Sequence, residues 1–477
     1  MTAPLHCQTF IDNAFRSEAA RFERRNPATG DVVAIAETAS EASVAAAVEA
    51  AVRAFATWGR TTGFERGALL RRFAELALER RDALASVMTR EMGKPLDEAR
   101  GEVSKFAQAM RFYAEEAERI GGETIPNESR EYLSIVKHEP IGPVAAITPW
   151  NYPVELAGWK LGGALGAGCT MVVKPSEHTP GAMQLLAECL RDAGLPDGVV
   201  NVVHGDGAVG ALLAAHPAIA KVGFTGSNAT GQKLFKTVTG ITQLTMELGG
   251  SCPLIVSRHA DLDLAARGAV RRSFRNAGQI CIAINRIYVE RPVAAEFTER
   301  MADLTRRLVV ADGFANPAAD VGPVTMEEIR ARTTRHLQDA TARGARLVAG
   351  AEPHPAAGLF LNPAIAADAP LDAQIMTEET FGPAVGVAAV DSLADAARHA
   401  NAVPGGLAAY LYTEDLHETM ALSDDLDFGN VAVNTVDAGI INAPYGGRRE
   451  AGFGSEHGRA GLEGYLQPKH VRIRHSH

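Results

Sequence analysis

One cysteine of this chain is set in surroundings suited to nucleophilic chemistry. Cys281 lies in the run Arg275-Asn-Ala-Gly-Gln-Ile-Cys-Ile-Ala-Ile-Asn-Arg286. It follows a Gly-Gln turn, with Arg271, Arg272, Arg275 and Arg286 close in sequence. A loop thiol among cations can be held as the thiolate, the nucleophilic form. Cys7, Cys169, Cys189 and Cys252 stand in apolar, helical or glycine-turn settings that read as packing. Burial as a small hydrophobe is the commoner fate of a lone cysteine, so a nucleophile needs companions.

Candidate companions occur upstream. His204-Gly-Asp-Gly-Ala-Val-Gly210 is a literal G-x-G-x-x-G between a strand-like and a helix-like run, the arrangement of a dinucleotide turn. With 46 glycines in the chain, that match is weak by itself. Phe224-Thr-Gly-Ser-Asn-Ala-Thr-Gly231 places the hydroxyls of Thr225 and Ser227 at a helix start, where free N–H groups bind phosphate. Val173-Lys-Pro-Ser-Glu177 ends a strand with Lys174 and Glu177 together, suited to ribose hydroxyls or, alone, to a surface ion pair. All three segments fall at the C-terminal ends of expected parallel strands, where open α/β sheets bind ligands.

The elements that must position these residues follow from periodicity. Glu41 to Met92 carries apolar residues at helical spacing, and Gly93-Lys-Pro95 interrupts it. From Pro140 onward short apolar runs alternate with turns and helical patterns: Val144–Thr148, Thr170–Lys174, Val199–Val203 and Lys221–Thr225. A second series after Gly250 includes Leu254–Val256, Arg286–Glu290 and Val431–Asn434. This alternation predicts α/β domains with parallel sheets. The extended tail from Tyr465 is a partner for the extended segment 130–138, within one subunit or across two.

Composition bounds the function. At 477 residues the chain exceeds a single core. It is 46% hydrophobic and 22% charged with a net charge of −10 and no acidic block, which disfavours nucleic acid and anionic membrane as partners. Five cysteines without regular spacing argue against a disulfide framework, and no metal-ligand spacing appears. The absence of a signal-like start and of a long apolar run reads as cytoplasmic.

Taken in order, the motifs resemble those of the aldehyde dehydrogenase superfamily over nearly the whole chain. They are Ile147-Thr-Pro-Trp-Asn-Tyr-Pro153, Val173-Lys-Pro-Ser-Glu177, Phe224-Thr-Gly-Ser227, Met246-Glu-Leu-Gly-Gly250, Gly278-Gln-Ile-Cys281, Glu378-Glu-Thr-Phe-Gly-Pro383 and Pro444-Tyr-Gly-Gly447. The resemblance implies a Rossmann-type cofactor domain (1–116 and 138–247), a second α/β catalytic domain (248–448) and a small extended oligomerisation element (117–137 and 449–477) that builds homodimers or homotetramers. It implies Cys281 as nucleophile, Glu247 as base for thioester hydrolysis and Asn151 as oxyanion donor. The cofactor, NAD with NADP also open, is assigned to Ile147, Thr148, Pro149, Trp150, Lys174, Ser176, Glu177, Gly207, Phe224, Thr225, Gly226, Ser227, Leu248, Gly249, Glu379 and Phe381. Glu177 favours NAD because a carboxylate repels a 2′-phosphate. Lys160 and Glu456 match positions linked to proton shuttling, and read equally well as an ion pair.

The substrate is expected against Tyr152, Trp159, Arg275, Ile280, Ile282 and Tyr445, with Leu156 nearby. The chain is most similar to the succinate-semialdehyde dehydrogenase branch, which holds its distal carboxylate with two arginines and a serine. Here only Arg275 remains; Trp159 and Gly439 stand at the other two positions. The substrate is thus a semialdehyde or a medium-size aliphatic or aromatic aldehyde. The alternatives are a CoA-acylating relative, disfavoured by Glu247, and a non-catalytic relative, disfavoured by Asn151, Glu247 and Cys281 together. The usual Lys-x-Ser-Gly is altered to Arg448-Arg-Glu-Ala-Gly452, with no consequence legible in the sequence.

Overall fold

The computed structural model describes residues 3–475. Two parallel sheets carry the architecture. The first has the strands Val144–Ile147, Met171–Lys174, Val200–Val202, Lys221–Gly226 and Gln243–Leu248 in parallel register. Antiparallel additions close both edges: Thr9–Ile11 with Ala14–Arg16 on one side, and Gly452–Phe453 on the other. The second sheet orders Arg346–Ala349, Ala364–Ala367, Ala384–Val390, Ile284–Glu290, Cys252–Val256, Ala408–Tyr412 and Asn430–Val433, parallel except for the first. The central strands of both sheets are buried along their length, which is why they read as continuous apolar runs without alternation.

The helical stretch after Glu41 forms the helices Glu41–Trp58, Gly63–Glu79 and Arg81–Met92. Thr62 and Glu65 make a reciprocal capping box at the second. Gly93 stops the third with φ +87°, and Pro95 sits before the helix Leu96–Glu118. The junction between them therefore holds Lys94 in a fixed, non-helical place.

A third sheet pairs the tail Leu466–Arg474 antiparallel with Tyr132–Pro140 in the same chain, with Glu123–Ile125 beyond. Before reaching this arm the chain makes two short antiparallel pairings. Arg448–Arg449 pairs with Gly405–Gly406, and Gly452–Phe453 pairs with Met246–Glu247. Part of the stretch 449–465, grouped with the extended element from sequence, so lies against the strand Gln243–Leu248 that carries Glu247. Arg449 donates to the carbonyls of Asn401, Val403 and Asp427, which gives the altered segment a structural role.

Gly452 is required at this crossing. Its φ is +115°, and an added Cβ would stand 1.9 Å from the Met246 carbonyl oxygen. Gly452→Ala is expected to destabilise by about 2 kcal/mol or more through overpacking and backbone strain. The urea-unfolding midpoint should fall and the specific activity with it, since the displaced strand carries Glu247.

Candidate active site

Cys281 follows a tightly wound loop at the end of the helix Leu262–Phe274. Asn276, Ala277 and Gly278 all have positive φ, 50°, 53° and 73°. A Cβ on Gly278 would lie 2.2 Å from the Gly382 carbonyl oxygen, so only glycine fits where the two loops meet. The loop is pinned on both flanks. The Gln279 side chain donates to the Asn276 carbonyl at 2.9 Å, and its Oε1 accepts from the Thr325 N–H at 2.8 Å. Glu98 accepts from the Asn276 N–H at 3.2 Å and from Arg275 Nε at 3.4 Å.

The sequence-adjacent cations are engaged elsewhere, and the pull of Arg272 on the thiol is outweighed by burial. Arg271 and Arg272 are bonded to Asp437, and Arg286 is spent on the carbonyls of Ser251, His399 and Ala400. Burial instead pushes the Cys281 thiol up to about 12, with Tyr445 pulling the other way through a contact of 3.7 Å. The cations that lie near Cys281 in sequence have their head groups turned to other partners.

Glu247 is the penultimate residue of the strand Gln243–Leu248 and is 4% exposed. Neither of its carboxyl oxygens has a hydrogen-bond partner. Burial raises its pKa well above the ordinary carboxylate range, Glu456 adds to the rise, and Lys160 opposes it. Lys160 and Glu456 form a buried ion pair at 2.5 Å, with Thr225 Oγ1 accepting from the same ammonium at 2.6 Å. Asn151 is buried; its side-chain amide donates to the Gln279 carbonyl at 3.1 Å, leaving its second N–H free for another acceptor.

The three residues line one cavity of about 290 Å³ together with Leu248, Gly249, Glu379 and Phe381. Glu379 is pushed up to about 7 by burial, opposed by Arg332 and by the Gly250 N–H. Pro149, Trp150, Thr225, Gly226 and Ser227 border this cavity and also a second one of about 650 Å³. That larger groove takes in Ile147, Thr148, Lys174, Ser176, Glu177, Gly207 and Phe224. The expected cofactor residues thus form one continuous track ending at Cys281.

The residues of the groove fit a dinucleotide. Lys174 Nζ and Glu177 stand 3.4 Å apart at the end of the strand Met171–Lys174. Burial raises Glu177, but Lys174, its own backbone N–H and His178 together outweigh it, so the net direction is down and the carboxylate stays ionised. Two helices open on the groove, Gly207–Ala214 and Asn228–Thr237. The first is capped by the Asp206 carboxylate, which disfavours a second anion there. The other is capped by the neutral Ser227 hydroxyl and has Lys233 beside it, so it is the better pyrophosphate seat.

On the far side of Cys281 lies a smaller cavity bordered by Tyr152, Leu156, Trp159, Arg275, Ile280, Ile282 and Tyr445. All six expected substrate residues meet there. Each cation near it is matched by a carboxylate: Arg275 by Glu98 at 3.4 Å, Arg272 by Asp437 at 3.2 Å, and Lys105 by Glu155 at 3.7 Å. Sequence reasoning missed Lys94, Glu98, Glu102 and His457. The signal for Lys94 was its place between two helix-ending residues; nothing in the sequence pointed to the others.

The fold and this arrangement define a nucleotide-dependent oxidoreductase with a cysteine at the end of its cofactor groove. Residues 15–471 match the aldehyde dehydrogenase family, and the chain belongs to it. It is 42% identical over 453 residues to succinate-semialdehyde dehydrogenase [NADP(+)] GabD of Escherichia coli, covering 94% of this chain and 93% of that protein. It is 40% identical to 3-sulfolactaldehyde dehydrogenase of Pseudomonas putida, covering 97% and 96%. The crystal structure of an E. coli NADP-dependent enzyme superposes with a TM-score of 0.96 at 39% identity over 98% of each chain. The chain is accordingly an NAD(P)-dependent aldehyde dehydrogenase that oxidises aldehydes to carboxylic acids. Among the described residues no helix is long and apolar enough to cross a membrane, and no cluster of His, Cys, Asp or Glu is placed to hold a metal ion.

With the thiol protonated at neutral pH, alkylation of Cys281 in the free enzyme should quicken about tenfold per pH unit from 7 to 9, because only the thiolate reacts. Timed iodoacetamide labelling with peptide mapping checks this. A rate already flat above pH 7 would mean a resting thiolate.

Proposed function

We propose that Cys281, Glu247 and Asn151 carry the reaction, and that the acyl intermediate is released by water. The observation that supports this best is the placement of Cys281. Its sulfur sits between the cofactor track and the smaller cavity, and Glu247 faces the same space with both oxygens unpartnered. An aldehyde seated in the smaller cavity would present its carbonyl carbon to this sulfur. The thiol gives up its proton to solvent as the sulfur adds to the carbonyl carbon, giving a thiohemiacetal oxyanion. The free N–H of the Asn151 amide and the Cys281 backbone N–H are the donors for its oxyanion.

Bound NAD(P)+ supplies the acceptor for the hydride leaving the substrate carbon, and Lys174, Glu177, Ser227, Glu379 and Phe381 are the residues that would hold it. Loss of that hydride turns the thiohemiacetal into a thioester on Cys281. Glu247 then takes a proton from a water that attacks the thioester carbonyl, releasing the acid and restoring the thiol. Its raised pKa sets the sign of the pH dependence: below that pKa it is protonated and cannot act as base, so hydrolysis rises as pH rises through it.

The Glu177 carboxylate in the groove supports NAD over NADP. The arm Leu466–Arg474 is an edge strand of its sheet, and an unpaired edge suits pairing with a second copy of the chain.

Glu247→Gln should lower the steady-state rate by about 10²–10⁴-fold and remove the acid limb of its pH profile. Stopped-flow absorbance at 340 nm should still show a first turnover of NADH. The same assay should give a higher kcat/KM with NAD than with NADP. Unaltered steady-state turnover in the variant, or acyl-CoA as the wild-type product when CoA is added, would contradict hydrolysis assisted by Glu247.

A further inference from the structure

Among the polar side chains that border the cavity beyond Cys281 and that the reaction above does not use, His457 has a ring nitrogen with no partner. His457 is 5% exposed, and its Nδ1 lies 3.2 Å from the Ile440 carbonyl oxygen. A carbonyl only accepts, so Nδ1 carries the proton and donates. A neutral imidazole has a single N–H, which leaves Nε2 as a lone-pair acceptor. That nitrogen is buried and has no partner. Burial holds the ring down at about 4, so it is neutral at physiological pH. Buried acceptors are almost always satisfied in folded proteins, and an orphan calls for an explanation.

The backbone supplies an independent observation. His457 has φ 59° and ψ 170°, a region that only glycine occupies without strain. The chain thus carries a ring where glycine would be at ease, and strain of this kind is typical of ligand-holding positions. The ring packs 4.0 Å from Trp159 and 5.3 Å from Tyr445, centroid to centroid. Gly439 keeps the space beside them open. A Cβ there would come within 3.2 Å of the Tyr445 ring and 3.9 Å of His457 Cε1. The cations near this space are already paired with carboxylates, so little free positive charge is left for an anionic substrate tail.

We propose that this cavity selects a flat, uncharged aldehyde bearing a hydrogen-bond donor, of the hydroxyaryl aldehyde class, whose hydroxyl donates to His457 Nε2 while its carbonyl carbon meets Cys281. The proposal rests on the covalent reading above and adds the specificity determinant to it. Trp159 and Tyr445 cover the aryl ring, and His457 distinguishes a donor from a methylated or missing hydroxyl.

The test compares kcat/KM for the three isomeric hydroxybenzaldehydes, the matching methoxybenzaldehydes and succinate semialdehyde. In the wild type at least one hydroxy isomer should exceed its methoxy counterpart, and succinate semialdehyde, by about tenfold or more. His457→Phe keeps a ring and removes the acceptor, so this ratio should fall to about twofold or less. His457→Gly relaxes the backbone and should give the same loss of discrimination, which keeps the test valid if the Phe variant folds poorly. A wild-type hydroxy-to-methoxy ratio near one for every isomer would overturn the proposal. So would a ratio that survives both substitutions, or a preference for succinate semialdehyde. Failure of the underlying covalent reading looks different: NADH formation that persists in Cys281→Ala.

Discussion

The site depends on one buried cation. Lys94 is fully enclosed, with its ammonium bonded to Glu102, donating to the Asn151 carbonyl at 2.7 Å and resting 3.6 Å from the centre of the Tyr152 ring. An ammonium stripped of water is costly, and it is tolerated only where its donors are met and its charge is matched. Meeting those demands fixes the surroundings. The other Glu102 oxygen accepts the N–H groups of Val154 and Glu155 at 2.8 and 3.1 Å. These are among the orphan donors of the helix Glu155–Ala167. One ion pair therefore sets both the loop that presents Asn151 and the start of the helix that carries Trp159 and Lys160. Removing either partner would leave a lone buried charge, at a cost of about 3–5 kcal/mol.

From Asn151 the constraint passes to the nucleophile. Its carbonyl also accepts from the Asn276 side-chain amide at 3.2 Å, and its own amide donates to the Gln279 carbonyl. Asn276 and Gln279 bracket the left-handed turn that lifts Cys281 into place. That turn in turn abuts the loop of Glu379 and Phe381, where Phe381 itself has φ 51°. Trp150 and Phe381 meet edge to face at 5.6 Å. Elements belonging to the two separate sheets are thus joined at the reacting centre through backbone carbonyls, side-chain amides and strained turns. Such contacts have little freedom to shift singly, which suits a site where the nucleophile, the oxyanion donor and the cofactor must hold a common geometry.

Much of this was legible in the sequence. The central strands announced themselves as apolar runs because both faces are covered, and their ends located Lys174, Ser227 and Glu247. The motif order named the family, and the six substrate residues carried over from it meet in one cavity. What the sequence misjudged has physical causes. Arginines near Cys281 in the chain suggested activation, yet their head groups are turned toward Asp437, Glu98 and backbone carbonyls. The tail was read as an extended element from 449, but Gly452 and Glu456 are drawn into the centre by pairing with Met246–Glu247 and by Lys160. Glu102 and His457 were silent because their importance comes from burial and from partners far away in sequence, and the place of Lys94 between Gly93 and Pro95 hinted at a fixed position without naming its partners. An acid inside a helix and a histidine before a glycine carry no local pattern.

The central claim is a covalent acyl-enzyme on Cys281. It is tested most directly by acid-quenching the Glu247→Gln protein after reaction with an aldehyde and NAD+, followed by peptide mass mapping. The account predicts an acyl group, the aldehyde less two hydrogens, on the peptide containing Cys281, and only when NAD+ is present. NADH formation with no acylated peptide, or with the acyl group on Cys252 instead, would contradict it.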